Sequence, residues 1–249
     1  MKILVCISDV PDTTTKVKFK DDNTAFETAG VQWVINPWDE LSLTRAVEMK
    51  EKTPGLIDNI TVVTVGPKES EATIRKALAI GADNAIRVDA LPKDAFYVAS
   101  QIAEAVKNEN FDIILTGIDS ADYNGSAVGG MLAEMLDLTS VSSVSSLNAE
   151  NSKVTVTREI EGGTETIEAA TPFLAIVQKG IAIEPKIPAM RGIMMARTKP
   201  LKVVEPADSE TLTHIEKFEM PQAKGACKKF DAEGVDELVN LLHNEAKMI

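Results

Sequence analysis

The sequence predicts an α/β fold: an open, mostly parallel sheet flanked by helices, with a β-hairpin extension and a C-terminal arm that ends in a helix. Residues 1–8 form a continuous apolar run rich in β-branched side chains, which is typical of a strand buried on both faces. Three comparable runs follow, and segments of helical periodicity separate them. This alternation favours β-α-β units and therefore a parallel sheet.

The elements of this sheet can be assigned in chain order. After the first strand, the apolar runs lie at residues 60–65, 85–88 and 113–116. Apolar residues recur at the three- and four-residue spacing of one helix face over residues 38–52, 69–80 and 95–108. Each predicted helix therefore follows one predicted strand and precedes the next.

The order of elements changes in the second half of the chain. Residues 140–146 are rich in serine, and we expect a polar connection there. Two alternating runs at 154–160 and 164–169 flank a Gly-Gly pair, which is a hairpin signal. Residues 173–178 are apolar and predict one more buried strand.

The final quarter of the chain has a different composition. Residues 180–199 are rich in proline, methionine and basic side chains, as in an exposed loop. Residues 207–225 have few apolar side chains that could form a core, so we expect an extended arm there. Residues 231–247 have the periodicity of an amphipathic helix. We therefore divide the chain into an α/β domain over residues 1–200, which includes the 180–199 loop, and an arm with a helix over residues 201–249.

The composition disfavours several classes of function. The 249 residues carry 26 Lys and Arg against 38 Asp and Glu, a net charge of −12, whereas nucleic-acid binding requires clustered cations. Two cysteines, Cys6 and Cys227, and two histidines, His214 and His243, are too few for a Cys- or His-based metal site, so we expect none. Without a cationic leader or an apolar stretch of about 20 residues, we expect a cytoplasmic protein that does not insert into membranes.

Residues 36–40, Asn-Pro-Trp-Asp-Glu, have the pattern of a helix start. Asparagine is a preferred N-cap residue, proline fits the first helical position, and acidic residues in the first turn complement the helix dipole. This structural role alone explains the motif. In the same position, Asn36 could also contact a ligand.

Two glycine-containing turns follow strands at the edge where open α/β sheets bind ligands. Gly66 either lets the backbone approach a ligand or forms a plain turn. Small residues around Gly125 and Ser126 favour either a nest of backbone N–H groups that binds phosphate at a helix N-terminus or a tight turn. Asp119 and Asp122 would repel a phosphate, so we expect them to bind ribose hydroxyls or loop N–H groups.

The sequence predicts no catalytic constellation. The loop around Gly125 lacks both a Walker lysine and the G-x-G-x-x-G spacing of dinucleotide-binding proteins. Cys6 lies in the first buried run, where a thiol usually behaves as a small apolar group. No histidine occurs in the α/β portion, and the G-x-S-x-G elbow of a serine hydrolase is also missing.

The 180–199 loop combines large apolar side chains with Lys186, Arg191 and Arg197 on an acidic protein. Met-rich segments adapt to several surfaces, and a local cationic patch attracts acidic partners. The alternative is that the loop folds back and joins the core.

Residues 184–197 have the sequence Glu-Pro-Lys-Ile-Pro-Ala-Met-Arg-Gly-Ile-Met-Met-Ala-Arg. Further motifs precede this segment in order; they lie at 10–13, 36–40, 66–67, 77–83, 122, 128–129 and 158–163. In sequence and spacing, these motifs resemble the beta subunits of electron transfer flavoproteins, and the resemblance spans residues 1–199.

The resemblance implies an adenine nucleotide alpha-hydrolase-like fold that binds AMP, in a heterodimer whose alpha subunit holds most of the FAD. By matching positions, Cys6 and Asn36 would line the adenine, and Val65 and Gly66 the ribose. The expected phosphate positions are Asp122, Asn124, Gly125, Ser126, Ala127 and Val128. Thr13 would lie near the FAD of the alpha subunit.

The resemblance also implies an electron carrier with no substrate turnover of its own, and therefore not an enzyme. Electrons would pass from the acyl-CoA dehydrogenases of fatty acid oxidation, through the FAD, to a quinone reductase. The expected dehydrogenase-recognition residues are Glu184, Pro185, Met190, Ile193, Met194 and Arg197, with Met190 as the anchor. Arg158 and Glu159 would face the alpha subunit, and the C-terminal helix would pack on it.

Two other functions fit the same residues. In an electron-bifurcating member of the family, this subunit would hold a second FAD and take hydride from NADH, and the phosphate nest would bind the ADP part of that FAD. The 117–127 loop lacks the usual pattern of bifurcating members, which disfavours this function, and it also lacks the lysine and glutamine of the family's usual loop. The second possibility is a stand-alone adenine-nucleotide-binding protein, which the exposed loop, arm and terminal helix disfavour.

Overall fold

The computed structural model describes residues 1–150 and 153–249. In chain order the strands are β1 (Lys2–Cys6), β2 (Asp9–Pro11), β3 (Phe19–Lys20), β4 (Ala25–Phe26), β5 (Trp33–Ile35), β6 (Asn59–Val65), β7 (Asn84–Val88), β8 (Ile113–Gly117), β9 (Thr139–Glu150), β10 (Lys153–Ile160), β11 (Gly163–Ala169), β12 (Phe173–Val177) and β13 (Leu201–Val204). The helices are α1 (Pro37–Lys52), α2 (Glu71–Ile80), α3 (Ala95–Val106), α4 (Val128–Met135), α5 (Met190–Ala196) and α6 (Val235–Asn244).

Nine of the strands form one sheet in the order β11-β10-β9-β12-β8-β1-β6-β7-β13. In this spatial order, the seven strands β9, β12, β8, β1, β6, β7 and β13 run parallel. At the other edge, β10 and β11 extend the sheet as an antiparallel hairpin. The predicted fold class is therefore confirmed. From β1 the chain builds outward through β6 and β7 and then crosses to β8 on the other side of β1. The point where the order reverses lies between β1 and β8, which is where open α/β sheets bind ligands.

The two faces of the sheet carry separate apolar cores because successive side chains of a strand point to opposite faces. Ile3 and Val5 of β1 pack with residues of α1 and α2 on one face. Leu4 and Cys6 pack with residues of α3 and α4 on the other face. All four of these β1 side chains are buried, as the continuous apolar run predicts for a central parallel strand.

The serine-rich segment is a strand, and the predicted polar connection at residues 140–146 is wrong. The segment lies within β9, which pairs with β12 on one side and β10 on the other. Its buried apolar residues are Val141, Val144, Leu147 and Ala149, and the first three of them are spaced three apart rather than two. Register shifts on both sides and the positive φ of +57° at Ser143 account for this spacing. The strand therefore lacks the two-residue alternation by which strands are predicted.

The C-terminal part of the chain begins inside the sheet. Leu201–Val204, which the sequence analysis assigns to the arm, pairs with β7 as the edge strand β13. The arm then runs along α3, where Gln101 exchanges two hydrogen bonds of 2.8 Å with the backbone of Ala207. Further on, the ring of Phe218 stacks on Phe19 with the centroids 4.9 Å apart. Within the described ranges, no helix is both long and apolar enough to cross a lipid bilayer.

A leucine-to-alanine pair tests the core. Leu4 is fully buried in the central strand, whereas Leu91 is 68% exposed. Leu4→Ala is expected to lower the free energy of unfolding by about 2–5 kcal/mol because it leaves a cavity in the α3–α4 core. Leu91→Ala is expected to change it by less than about 0.5 kcal/mol. Urea denaturation followed by circular dichroism measures both, and equal losses would contradict this arrangement.

Candidate functional site

The candidate site lies at the sheet edge where β1, β6 and β8 end. Cys6 and Val65 are the last residues of β1 and β6, and both side chains belong to the α3–α4 core. Gly66 follows β6 directly, and the 118–127 loop leaves β8 and enters α4. The structure therefore brings the residues expected at the adenine and the ribose to the edge from which the expected phosphate loop departs.

Asn36 secures the start of this loop. Asn36 is the N-cap residue of α1 and Pro37 begins the helix, as predicted, but the Asn36 side chain makes no capping hydrogen bond. Instead, Nδ2 donates to the carbonyl of Asp119 at 2.8 Å, and Oδ1 accepts from the N–H of Ala121 at 3.1 Å. Asn36 is only 1% exposed, so both bonds are largely shielded from water. Its amide thus binds the backbone of the 118–127 loop through a donor and an acceptor.

Asp39 joins the ends of β1 and β8. One carboxylate oxygen accepts from the N–H of Ser8 at 2.8 Å, and the other accepts from the N–H of Gly117 at 3.0 Å. Burial raises the pKa of Asp39 to about 7, although the N–H groups of Ser8 and Gly117 oppose this by favouring the ionised form. The sequence pattern assigns Asp39 only to the first turn of α1. The tertiary structure shows it bridging the strands at the point where the sheet order reverses.

Gly117 leaves room for this bridge. A Cβ atom at this position would collide with Oδ1 of Asp39 and would lie 2.9 Å from Cβ of Trp38. Such contacts are closer than van der Waals packing permits. A glycine at the end of β8 is therefore required for α1 to reach the backbone of both strands.

Arg87 supports the turn at Gly66 from the neighbouring strand β7. Its Nη1 donates to the carbonyl of Gly66 at 2.9 Å and to Asp89 at 2.6 Å. Its Nε lies 3.3 Å from a carboxylate oxygen of Glu71, and Arg87 is 3% exposed. Sequence reasoning missed this residue. The available signal was a single cation inside the apolar run at 85–88, since a buried charge has to be paired.

The 118–127 loop approaches α4 with backbone N–H groups free. Asn124 and Ser126 both have φ of +48°, and the N–H of Asn124 donates to the carbonyl of Ser120 at 2.8 Å. No acceptor among residues 1–150 and 153–249 receives a bond from the N–H groups of residues 125–128. Consecutive free N–H groups at the start of a helix can bind an anion.

Acidic side chains flank this loop. Asp9, which follows β1, accepts a hydrogen bond of 2.6 Å from the hydroxyl of Thr73. Burial raises the pKa of Asp9, and the nearby charge of Asp122 adds to the effect. Asp122 itself accepts from the N–H of Tyr123 at 3.0 Å, which is one of the two roles expected for it. The loop therefore uses this carboxylate to bind its own backbone.

Three residues, Thr13, Arg158 and Glu159, are expected near the alpha subunit. Thr13 is exposed after β2. Arg158 forms an ion pair of 2.6 Å with Glu165 across the hairpin. Glu159 borders a shallow hollow of about 420 Å³ at the same sheet edge, together with Trp38, Ile118, Gln178, Lys179 and Gly180. The hairpin therefore ends beside the carboxyl edge of the sheet.

The 180–199 loop does not join the core. Its start and end are anchored by Ile181, Ala182 and Ala196, which are buried. Its other large apolar side chains are exposed: Ile183, Ile187, Met190, Ile193, Met194 and Met195. The expected recognition residues Glu184, Pro185 and Arg197 are also exposed. Contiguous exposed apolar groups of this kind mark an interaction surface.

A glycine pair tests the bridge at the sheet edge. Gly117→Ala is expected to lower the free energy of unfolding by about 1–3 kcal/mol because its methyl group displaces Asp39. Gly130 lies on the exposed side of α4, where a Cβ would meet no atom within 4 Å. Gly130→Ala is expected to raise the free energy by up to about 1 kcal/mol through helix propensity. Urea denaturation measures both, and a neutral Gly117→Ala would contradict the steric argument.

The raised pKa of Asp39 predicts a pH dependence of stability. Between its ordinary value of about 3.9 and the folded value of about 7, the folded state holds a proton that the unfolded state has lost. The contribution of Asp39 to stability therefore falls as the pH rises through this window and is constant above it. The wild-type free energy of unfolding minus that of Asp39→Asn should fall by about 4 kcal/mol from pH 4 to pH 8.

Denaturation at several pH values gives this difference curve. Asp208→Asn is the matched control, because that carboxylate is exposed to water on the arm. Its difference curve is expected to be nearly flat. A flat curve for Asp39→Asn as well would show that the burial of Asp39 does not govern its titration.

Comparisons with known proteins identify the family of this chain. The family model described as "Electron transfer flavoprotein domain" matches residues 23–209. A protein of Syntrophomonas wolfei named electron transfer flavoprotein subunit beta is 38% identical over 235 residues, which cover 94% of this chain and 91% of that relative. Proteins of the same name from Bacillus subtilis and Homo sapiens are each 34% identical; the alignments cover 100% of both chains in the first case, and 84% of this chain and 82% of the relative in the second. This chain therefore belongs to the electron transfer flavoprotein family, as one of its beta subunits.

Proposed function

We propose that this subunit binds AMP and helps to enclose the FAD of an alpha subunit in a cytoplasmic heterodimer. The heterodimer carries electrons from the acyl-CoA dehydrogenases of fatty acid oxidation to a quinone reductase. The observation that carries the proposal is the 118–127 loop, which Asn36 binds and whose N–H groups at residues 125–128 are free. It leaves the sheet at the edge where β1 and β6 end in Cys6 and Val65. A site that combines apolar side chains with free backbone N–H donors suits an adenine ring that carries a phosphate.

In this proposal, the chain's own residues position the nucleotide and do not react. Cys6 and Asn36 line the adenine, and Val65 and Gly66 line the ribose. Residues 122 and 124–128 surround the phosphate, which accepts hydrogen bonds from the free N–H groups of residues 125–128. Asn36 and Asp39 hold the loop in place before the nucleotide binds, which reduces the entropy lost on binding. FAD, bound mainly by the alpha subunit, supplies the redox chemistry, and Thr13 lies near it.

Two exposed surfaces support a role as a subunit. Helix α6 has none of its residues buried, and Val235, Leu238 and Val239 are exposed on it. We propose that α6 and the end of the arm, together with Arg158 and Glu159 of the hairpin, pack on the alpha subunit.

The apolar 180–199 loop with Met190 and Met194 docks acyl-CoA dehydrogenases, aided by Glu184, Pro185, Ile193 and Arg197. An apolar helix face in water favours association with another surface.

Nucleotide content tests the proposal. This chain is co-expressed with its alpha subunit, the purified complex is denatured, and the released nucleotides are identified by chromatography. One FAD and one AMP per heterodimer are expected. Two FAD and no AMP would contradict the AMP assignment and favour an electron-bifurcating subunit that oxidises NADH. A nucleotide-loaded chain that forms no complex would favour a stand-alone nucleotide-binding protein.

A pair of asparagine variants tests the site in the same complex. Asn36→Ala removes both hydrogen bonds to the 118–127 loop and is expected to lower the retained AMP about tenfold, with FAD unchanged. Asn108→Ala, at an exposed position after α3, is the matched control and is expected to retain full AMP. Full AMP retention by Asn36→Ala would overturn the proposed role of the loop.

A further inference from the structure

Helix α5, at the centre of the exposed 180–199 loop, lies on α2 through hydrogen bonds made by Arg75. Nη1 of Arg75 donates to the carbonyls of Ala196 and Lys199, both at 2.8 Å. These carbonyls belong to the end of α5 and to the turn that follows it. Because a guanidinium group presents several donors in one plane, it can satisfy two carbonyls at once.

Lys199 makes the complementary contact, from the segment after α5 to the end of α2. Its Nζ donates to the carbonyl of Leu78 at 2.8 Å and to that of Ala82 at 2.5 Å. Leu78 lies in the last turn of α2, where carbonyls have no helical partners, and Ala82 lies two residues beyond the helix. A cation at the C-terminus of a helix also interacts favourably with the helix dipole. Each segment thus contributes a cation that binds carbonyls of the other. We name Arg75 and Lys199 together the reciprocal clamp.

The backbone of α5 approaches α2 closely beside this clamp. A Cβ atom on Gly192 would lie 2.5 Å from the carbonyl oxygen of Ala79, so only a glycine fits without a shift. Ala196 is buried at the end of the helix, whereas Met190 and Met194 are 74% and 68% exposed. One side of α5 is therefore bound to α2, and the other presents its methionines to solvent.

A helix of seven residues is too short to be stable in isolation. The exposed methionines cannot hold it in place, because their side chains contact water rather than the core. The conformation of α5 and the direction of its apolar side chains therefore depend on its contacts with α2. Among these, the clamp supplies four hydrogen bonds from charged donors.

We propose that Arg75 and Lys199 are positioning residues that preorganise α5 for insertion of Met190 and Met194 into an apolar pocket of a partner redox protein. The inference rests on the proposed function, in which this loop docks acyl-CoA dehydrogenases. Without the clamp, binding would have to order α5 as well as bury the methionines, and the ordering entropy would weaken the complex. The rate of electron transfer within the complex, once formed, would be unchanged.

The test uses the assembled heterodimer with an acyl-CoA dehydrogenase reduced by its acyl-CoA substrate. Arg75→Gln and Lys199→Gln are expected to raise KM for the heterodimer about tenfold with kcat unchanged, because the clamp acts on binding alone. Arg75→Lys keeps the charge and can reach one carbonyl, so an intermediate KM is expected. Lys76→Gln is the control: it removes a cation from the same helix and breaks only an ion pair of 2.8 Å with Glu40.

Hydrogen exchange supplies a readout that needs no partner. In Arg75→Gln and Lys199→Gln, the amides of residues 193–199 are expected to exchange about tenfold faster, while those of β1 and β8 keep their protection. The content of FAD and AMP is expected to stay at the wild-type level. Wild-type exchange in the 193–199 segment would overturn the proposal, as would a wild-type KM.

Met190→Ser separates this inference from the proposed function on which it rests. A raised KM for Met190→Ser with a wild-type KM for Arg75→Gln would overturn the clamp and leave dehydrogenase docking intact. A wild-type KM for Met190→Ser would overturn docking by this loop, and faster exchange in Arg75→Gln would then show that the clamp orders α5 without serving that partner.

Discussion

The carboxylate of Asp39, held between the ends of β1 and β8, is the interaction on which the site depends. It accepts from the N–H of Ser8 and from that of Gly117, and so joins two strands where the sheet order reverses. A buried carboxylate loses the solvation of water, and these bonds offset part of that cost. Asn36, one turn earlier in the same helix start, binds the loop that leaves β8. A short polar motif therefore positions both the sheet edge and the 118–127 loop.

The buried sheet edge that forms the candidate site differs from the exposed apolar segments at the periphery. At the edge, apolar side chains of β1 and β6 are buried, and Arg87 supports the turn at Gly66 from the next strand. At the periphery, α5 and α6 expose methionine, leucine and valine side chains. Covering exposed apolar side chains with another surface lowers the free energy, because it removes them from water. The fold thus places the candidate site at the buried ends of the central strands and its exposed apolar side chains on segments outside the sheet.

The elements predicted correctly are those whose side-chain period matches their structure. The buried run at 1–8 and the alternating runs around the Gly-Gly turn became β1 and the β10–β11 hairpin. The serine-rich strand β9 was missed because its first three buried residues are spaced by three, a spacing that arises from irregular pairing with its neighbours. Local periodicity reports structure only where the backbone is regular. Chain segments far apart in sequence decide where it is not.

By itself, the sequence determined the α/β class, the order of most elements and the family motifs, because hydrophobic period and turn residues are local properties. It also placed Asn36 and Asp39 at a helix start and Gly117 at the start of the loop that follows a strand. Only the tertiary structure decided what they do together. The bond from Gly117 to Asp39 joins residues 78 positions apart, and the bonds of Arg75 to the end of α5 span more than 120. No local pattern encodes which distant carbonyl or N–H group a buried polar side chain will reach, because packing of the helices on the sheet determines that distance.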